Sequence, residues 1–261
     1  MRQSVFDLRK VDMKPISAIL PLTLLLPAIA PAADSFPDHL QGDLGIFANV
    51  SSSPIRGTTS STALLPYAYF DYGPVFTRID TFGIKTVPLG YGHLELVGRI
   101  KYDGYKTAAN TELRGIDDRQ NSAPVGLGTF QVTPVGGLFL YALYDANKSH
   151  GSMYEAVYVV PIPLDDMTLY PQIGIERYSS EYNRYYYGIS AAESVASGYA
   201  SYTPEASTKR SFRVMLEAPL GDGWIANFYL QRKWLDSAIT NSPLVNKQFE
   251  DNGFAALVYR F

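Results

Sequence analysis

From Trp224 to Trp234 the chain runs WIANFYLQRKW, with an apolar residue at almost every second place. Successive side chains of a strand point to opposite faces. Trp224, Ala226, Phe228, Leu230 and Trp234 therefore share one face, and Ile225, Asn227, Tyr229, Gln231 and Lys233 share the other. At about 3.3 Å per residue, the second tryptophan stands ~33 Å along the strand from the first, or ~25 Å higher at a tilt near 40°. A barrel that spans a membrane has an apolar band about 25 Å tall between two aromatic girdles. Trp224 and Trp234 are placed in those girdles. Two core tryptophans of a soluble β-sandwich are the competing explanation, so recurrence has to decide.

The alternation recurs at the length of a tilted membrane strand, about 9–11 residues. Gly92–Tyr102 sets Leu94, Leu96, Gly98, Ile100 and Tyr102 against His93, Glu95, Val97, Arg99 and Lys101. Thr208–Ala218 sets Phe212, Val214, Leu216 and Ala218 against Lys209, Ser211, Arg213 and Glu217. The last residues, GFAALVYRF, set Ala255, Leu257, Tyr259 and Phe261 against Phe254, Ala256, Val258 and Arg260. One face of each strand suits lipid. The other carries both signs of charge, which predicts internal ion pairs filling a lumen rather than the single-sign ring of a selective channel. By resemblance to the final strands of other outer-membrane barrels, Leu257, Tyr259 and Phe261 are assigned to an assembly signal.

The connections divide into two kinds. Val135–Gly137, Pro163–Asp166 and Leu220–Gly223 read as tight turns, whereas Asp103–Ala123, Ser179–Ser207 and Asp236–Gln248 are long and polar. Short periplasmic turns and long extracellular loops are the pattern of outer-membrane barrels. Ten strands are plain. Val75–Leu89, split near Thr81–Gly83 into two short strands, makes twelve and keeps the even count of bacterial barrels. The fold expected is thus an all-β, antiparallel transmembrane β-barrel of twelve strands, with ten as the alternative. The turn carboxylates Asp165, Asp166 and Asp222 are candidate periplasmic contacts, together with Asp34–Gln41 and Pro88–Tyr91.

Residues 1–33 read as an export signal, with Met13 as an alternative start. Lys14 leads the apolar stretch to Ala33, and Ala30-Pro31-Ala32 supplies the small-residue cleavage pattern. The barrel then occupies 34–261, outside the cytoplasm. There is no cysteine and hence no disulfide framework. A net charge of −3 gives no basic footprint for nucleic acid. Twenty tyrosines, thirteen phenylalanines and a mean hydropathy of −0.06 suit strands with one wet and one lipid face.

Catalytic chemistry is not expected. The three histidines are His39, His93 and His150, and His150 stands beside Ser149 with no third group evident to orient its ring. Asp117-Asp118 and Asp165-Asp166 are adjacent carboxylates of the kind usually solvated at turns. Neither a cofactor motif nor a metal-ligand pattern is present in the sequence.

The longest loop has internal order. Ser190-Ala191-Ala192-Glu193 is a capping box and Gly198 a C-cap, predicting a two-turn helix, AAESVAS. Tyr182, Tyr185, Tyr186, Tyr187, Tyr199 and Tyr202 surround it. They offer either an extracellular binding surface, for which Tyr185, Tyr186, Tyr187, Tyr199 and Tyr202 are the candidates, or a lid packed on the barrel rim.

ELRGIDD (Glu112–Asp118), YYYGISAAESVASGYASYTPEAS (Tyr185–Ser207), DSAITNSPLV (Asp236–Val245) and the terminal YRF together resemble the MipA/OmpV family of outer-membrane proteins. The resemblance implies a barrel set among outer-membrane lipid and lipopolysaccharide, monomeric in expectation. For the best-known members it implies a scaffold joining MltA, a periplasmic lytic transglycosylase, to a penicillin-binding murein synthase. Other members suggest porin-like channels or adhesins.

Overall fold

The computed structural model describes residues 36–108 and 110–261. The expected export signal, residues 1–33, and the mature start near Asp34 lie outside the described residues.

The strands are β1 (Gln41–Ser51), β2 (Ser61–Tyr72), β3 (Val75–Arg78), β4 (Thr81–Leu89), β5 (Gly92–Arg99), β6 (Val125–Thr133) and β7 (Gly136–Tyr144). They continue as β8 (Ser152–Val159), β9 (Met167–Tyr178), β10 (Ser207–Gly221), β11 (Trp224–Trp234) and β12 (Phe249–Arg260). A thirteenth paired segment, Ile162–Leu164, prolongs β8 beyond Val160-Pro161 and lies against the same neighbour, β9. Every pairing is antiparallel between sequence neighbours, and β1 pairs with both β2 and β12. The sheet therefore closes into a twelve-stranded barrel in which every strand pairs on both sides for at least part of its length. Among the described residues no helix is long and apolar enough to cross a membrane; the crossings are made by strands.

Side-chain alternation follows the sequence. Trp224, Phe228, Leu230 and Trp234 are exposed on the outside, and Ile225 and Asn227 are buried inside. Outward Arg232 sits one pair in from Trp234, where it forms a bidentate pair with Asp251 of β12 at 2.7 and 2.8 Å. In the last strand Leu257 faces out, while Ala256 and Val258 are buried inside. The Phe261 N–H donates to the Gly42 carbonyl, so the two ends of the barrel sequence meet at one rim.

The division of Val75–Leu89 is real, but its place is corrected. The chain turns at Ile79-Asp80 rather than at Thr81–Gly83, and β3 is only four residues long. Ile79 adopts φ 65°, a region that β-branched residues rarely enter, and its N–H is held by the Ala68 carbonyl at 2.8 Å. The β3–β4 hairpin thus rises only part of the way up the wall. The other turns sit near their expected places: Asp165 and Asp222 take positive φ in tight hairpins.

The long loops carry short helices: α1 (Ser180–Tyr187), α2 (Ala191–Ser197) and α3 (Ser237–Thr240). The expected capping box is present in α2, with the Ser190 hydroxyl accepting from the Glu193 N–H and Glu193 accepting from the Ser190 N–H. Gly198 closes the helix at φ 78°.

Candidate functional site: a filled lumen beneath a tyrosine lid

Because alternate residues of every strand point inward, the lumen inherits the polar face of the sequence. A chain of ion pairs crosses it. Arg99 donates to Glu155 at 2.5 Å, Arg213 bridges Glu155 and Glu176 at 2.7 and 3.0 Å, and Lys233 meets Glu176 at 2.8 Å. The Tyr178 hydroxyl donates to Glu176 at 2.5 Å, and the Arg99 guanidinium lies 4.5 Å from the Tyr141 ring centroid. A second knot lies nearer the short-turn rim, where Arg260 grips Asp43 and Glu217 at 2.7 Å each. Glu95, Arg99, Lys101, Arg213, Glu217 and Lys233 all face inward as the alternation requires. Paired charges in a confined space neutralise and obstruct each other, so the lumen is filled rather than lined with one sign.

Against these ion pairs lies a cavity of about 350 Å³, walled by Phe47, Tyr67, Phe139, Tyr141, Tyr229 and Phe254 and sharing Arg99, Glu155, Glu176, Arg213 and Lys233 with them. Arg78 also lines it. The Arg78 guanidinium lies 4.2 Å from the Phe76 ring centroid, with only long ion pairs of 3.7 Å to Asp71 and 3.8 Å to Glu95.

The long-loop mouth is covered. Tyr178 ends β9, and Tyr182 and Tyr186 follow at one-turn spacing on α1, so the three rings form a column, each tilted against the next, with centroids 4.7 and 4.8 Å apart. Tyr182 donates to Asp103, Tyr105 to the Tyr186 carbonyl, and Tyr199 to the Glu112 carbonyl, knitting the loops together. Ile116, Ile189, Ile239 and Leu244 are buried in the same cluster. Arg119 and Glu193 add a buried pair at 2.6 Å. Burial alone would push the Glu193 carboxyl up. The N–H groups of Ser190 and Asp117 and the Arg119 guanidinium outweigh it and hold the group at about 2.

The tyrosine candidates are thereby sorted. Tyr186 and Tyr187 are buried, which corrects their assignment to an exposed surface: α1, absent from the sequence expectation, turns them down onto the barrel mouth. Tyr185, Tyr199 and Tyr202 are half-buried against the same cluster. A tyrosine every fourth residue at 178, 182 and 186 was the helical signal. Trp224 and Trp234 stand outward at opposite ends of β11. Asp165, Asp166 and Asp222 are exposed at the short-turn rim. Leu257, Tyr259 and Phe261 lie together at that rim, with the Tyr259 ring edge-on to Trp224 and to Phe261.

The remaining polar candidates take structural partners. The Ser149 hydroxyl donates to Asp145 at 2.6 Å, not to His150, which is exposed at φ 53°. Asp118 accepts from the Thr107 N–H and from Lys106. Among the described residues no group of three His, Asp or Glu is placed to hold a metal ion.

A closed, even-numbered antiparallel barrel with a lipid-facing apolar band, short turns on one rim and long loops on the other defines an outer-membrane β-barrel protein. The chain belongs to the MipA family: the family profile described as MltA-interacting protein MipA matches residues 44–261. The relatives it resembles agree with that compartment. A putative outer membrane protein YiaT of Escherichia coli O157:H7 is 23% identical, covering 84% of this chain and 90% of the relative. The MltA-interacting protein of Escherichia coli (strain K12) is 26% identical over 60% of this chain and 63% of its own length. Outer membrane protein OmpV of Vibrio cholerae serotype O1 is 28% identical over 62% of each. The protein is accordingly an outer-membrane protein, its short turns on the periplasmic side.

Proposed function

We propose that this protein is a non-conducting outer-membrane scaffold whose periplasmic rim docks murein enzymes, a lytic transglycosylase and a penicillin-binding synthase among them. The observation that carries the reading is the charge of that rim. Among the described residues, its exposed ionic side chains apart from His39 are carboxylates: Asp38, Asp165, Asp166 and Asp222. Its basic groups, Lys85 and Arg260, are turned inward and paired with Asp71, and with Asp43 and Glu217. An acidic rim complements a basic partner surface and speeds encounter. The plug and the lid leave little reason to assign the lumen to bulk transport. One relative carries the name MltA-interacting protein.

Short turns offer limited area, and a stable complex buries about 1,200–2,000 Å², so the docking is weak and salt-sensitive. The test is co-purification from the envelope at low salt. Replacing Asp165, Asp166 and Asp222 with Asn should remove murein enzymes from the complex, and replacing Tyr185, Tyr199 and Tyr202 with Phe should not. Loss of partners with the tyrosine variants alone would transfer recognition to the outer surface and end the scaffold reading.

A further inference from the structure

The half-height β3–β4 hairpin leaves an opening in the barrel wall. Pairing between β2 and β3 runs from Tyr72↔Val75 to Tyr69↔Arg78 and stops at the Ala68 carbonyl. Above this, β2 continues to Ser61 with β1 as its only strand neighbour. On the far side, β5 loses its neighbour at the same level, where the Ile100 N–H donates to the Asp80 carbonyl. Two strands are missing from the upper wall, so at ordinary strand spacing at most ~14 Å separates the backbone of β2 from that of the segment following β5, which begins at Ile100.

The opening faces lipid. Leu64, Phe82 and Ile100 around it are exposed on the outside, Leu64 at 71%. An unpaired strand edge is not tolerated in hydrocarbon unless it borders a wet cavity or is covered by protein. Backbone polar groups alternate sides along a strand, so on β2 the groups on this edge belong to Ala68, Pro66 and Leu64. Pro66 has no N–H to leave unpaired, which is the device expected of a permanent edge. Behind the edge lies the 350 Å³ cavity, which reaches Leu65 and Tyr67 on one side, Lys101 and Tyr102 on the other, and Ile79-Asp80 at the sill.

The cavity has a chemical preference. Its walls are largely aromatic, and of the five cationic side chains that line it Arg99, Lys101, Arg213 and Lys233 are held in ion pairs with Glu155, Asp103 and Glu176, which leaves Arg78. Arg78, immediately below the sill, is 6% exposed, and its Nε and Nη1 have no acceptor among the described residues. These two donors lie on different edges of the guanidinium, because Nη2 is the atom turned to Asp71 and Glu95, so each can give one charge-assisted hydrogen bond to a carboxylate oxygen. The size lies within the range of small-molecule sites.

We propose that this opening is a lateral port through which a long-chain monocarboxylate passes from the lipid phase into the lumen, where Arg78 binds its head and the aromatic wall its chain. The inference is independent of which partner docks at the periplasmic rim.

The experiment uses the folded protein in lipid nanodiscs and a dansyl-labelled long-chain fatty acid. Saturable binding of one probe per barrel is expected, with at least tenfold weaker binding by folded Arg78→Gln, folding being read from heat-modifiable migration. Should that variant fail to fold, the methyl ester of the same probe decides: it should bind the unaltered protein at least tenfold more weakly than the acid. Inserting four strand-forming residues between Ile79 and Asp80 lengthens the hairpin along the free edge of β2. That change should slow association at least tenfold while leaving the equilibrium affinity near its original value. No saturable binding, or an ester that binds as well as the acid, overturns the site. An unchanged association rate with the lengthened hairpin overturns the port.

Discussion

The Arg119 guanidinium and the Glu193 carboxylate meet at 2.6 Å beneath the lid, joining loops whose residues are 74 apart in sequence. Glu193 also accepts from Ser190 and from the Asp117 N–H, so one carboxylate caps α2 and fastens α2 to the neighbouring loop. Losing one partner of a buried pair costs about 3–5 kcal/mol, concentrated here in the lid.

The pH dependence follows from the same carboxylate. An unfolded Glu titrates near 4.3, and folded Glu193 is held at about 2. A group with a lowered folded value stabilises fully above the unfolded one and loses its contribution as pH falls toward the folded one. Hydrogen exchange in residues 111–119 and 190–199, corrected for intrinsic rates, should therefore be slow at pH 6 and faster at pH 3, with the strands unchanged. Glu193→Gln should show the fast pattern at both values. Equal protection of these residues at pH 6 and pH 3 in the unaltered protein would disprove the coupling.

The filled lumen predicts electrical silence. Arg213 bridges two carboxylates from neighbouring parts of the wall, and the tyrosine column covers the mouth above it. In planar bilayers the unaltered protein should show little or no conductance. Replacing Arg213 and Glu155 together with Ala, and removing residues 180–206, should open a path. Large, steady, uniform channels from the unaltered protein would instead make it a porin.

Much of this was legible because a barrel strand repeats a simple rule. Lipid requires apolar side chains at alternate positions for the full height of the membrane, so Trp224–Trp234 announced its own orientation, and Gly198 and the Ser190–Glu193 box announced α2. The lumen was legible only as mixed charge; which Arg meets which Glu depends on barrel stagger, which no single strand encodes. Ile79 hid the turn, because an isoleucine at positive φ gives no turn signal and is held there by the Ala68 carbonyl. Tyr186 and Tyr187 were legible as a cluster but not as buried, since their direction depends on α1. Pro66 was the overlooked mark of an open strand edge.

The two rims can be distinguished chemically in a chain that has no cysteine of its own. Ser194 lies on α2 at the long-loop end, and Asp166 in the exposed turn before β9. Ser194→Cys should react with an impermeant maleimide on whole cells. Asp166→Cys should react only once the outer membrane is opened. The reverse pattern would invert the barrel.

Phe261 separates folding from assembly. Its N–H donates to the Gly42 carbonyl at the β12–β1 seam, and its ring contacts Tyr259 at 5.1 Å. Each contact is worth about 1 kcal/mol, small beside the strand pairing that joins Asp43–Ser51 to Asn252–Arg260. Deleting Phe261 should thus leave refolding from denaturant into detergent micelles almost unchanged, as judged by heat-modifiable migration. In cells the same deletion, and Tyr259→Asp, should leave the chain in the periplasm if the Leu257, Tyr259 and Phe261 face is what the insertion machinery reads. Tyr259→Asp should fail in micelles as well, because it sets a carboxylate against Trp224 and lipid. A deletion variant that reaches the outer membrane at normal levels would show that the terminal aromatic is a seam contact and nothing more. One that fails equally in micelles and in cells would make it a folding determinant, not a signal.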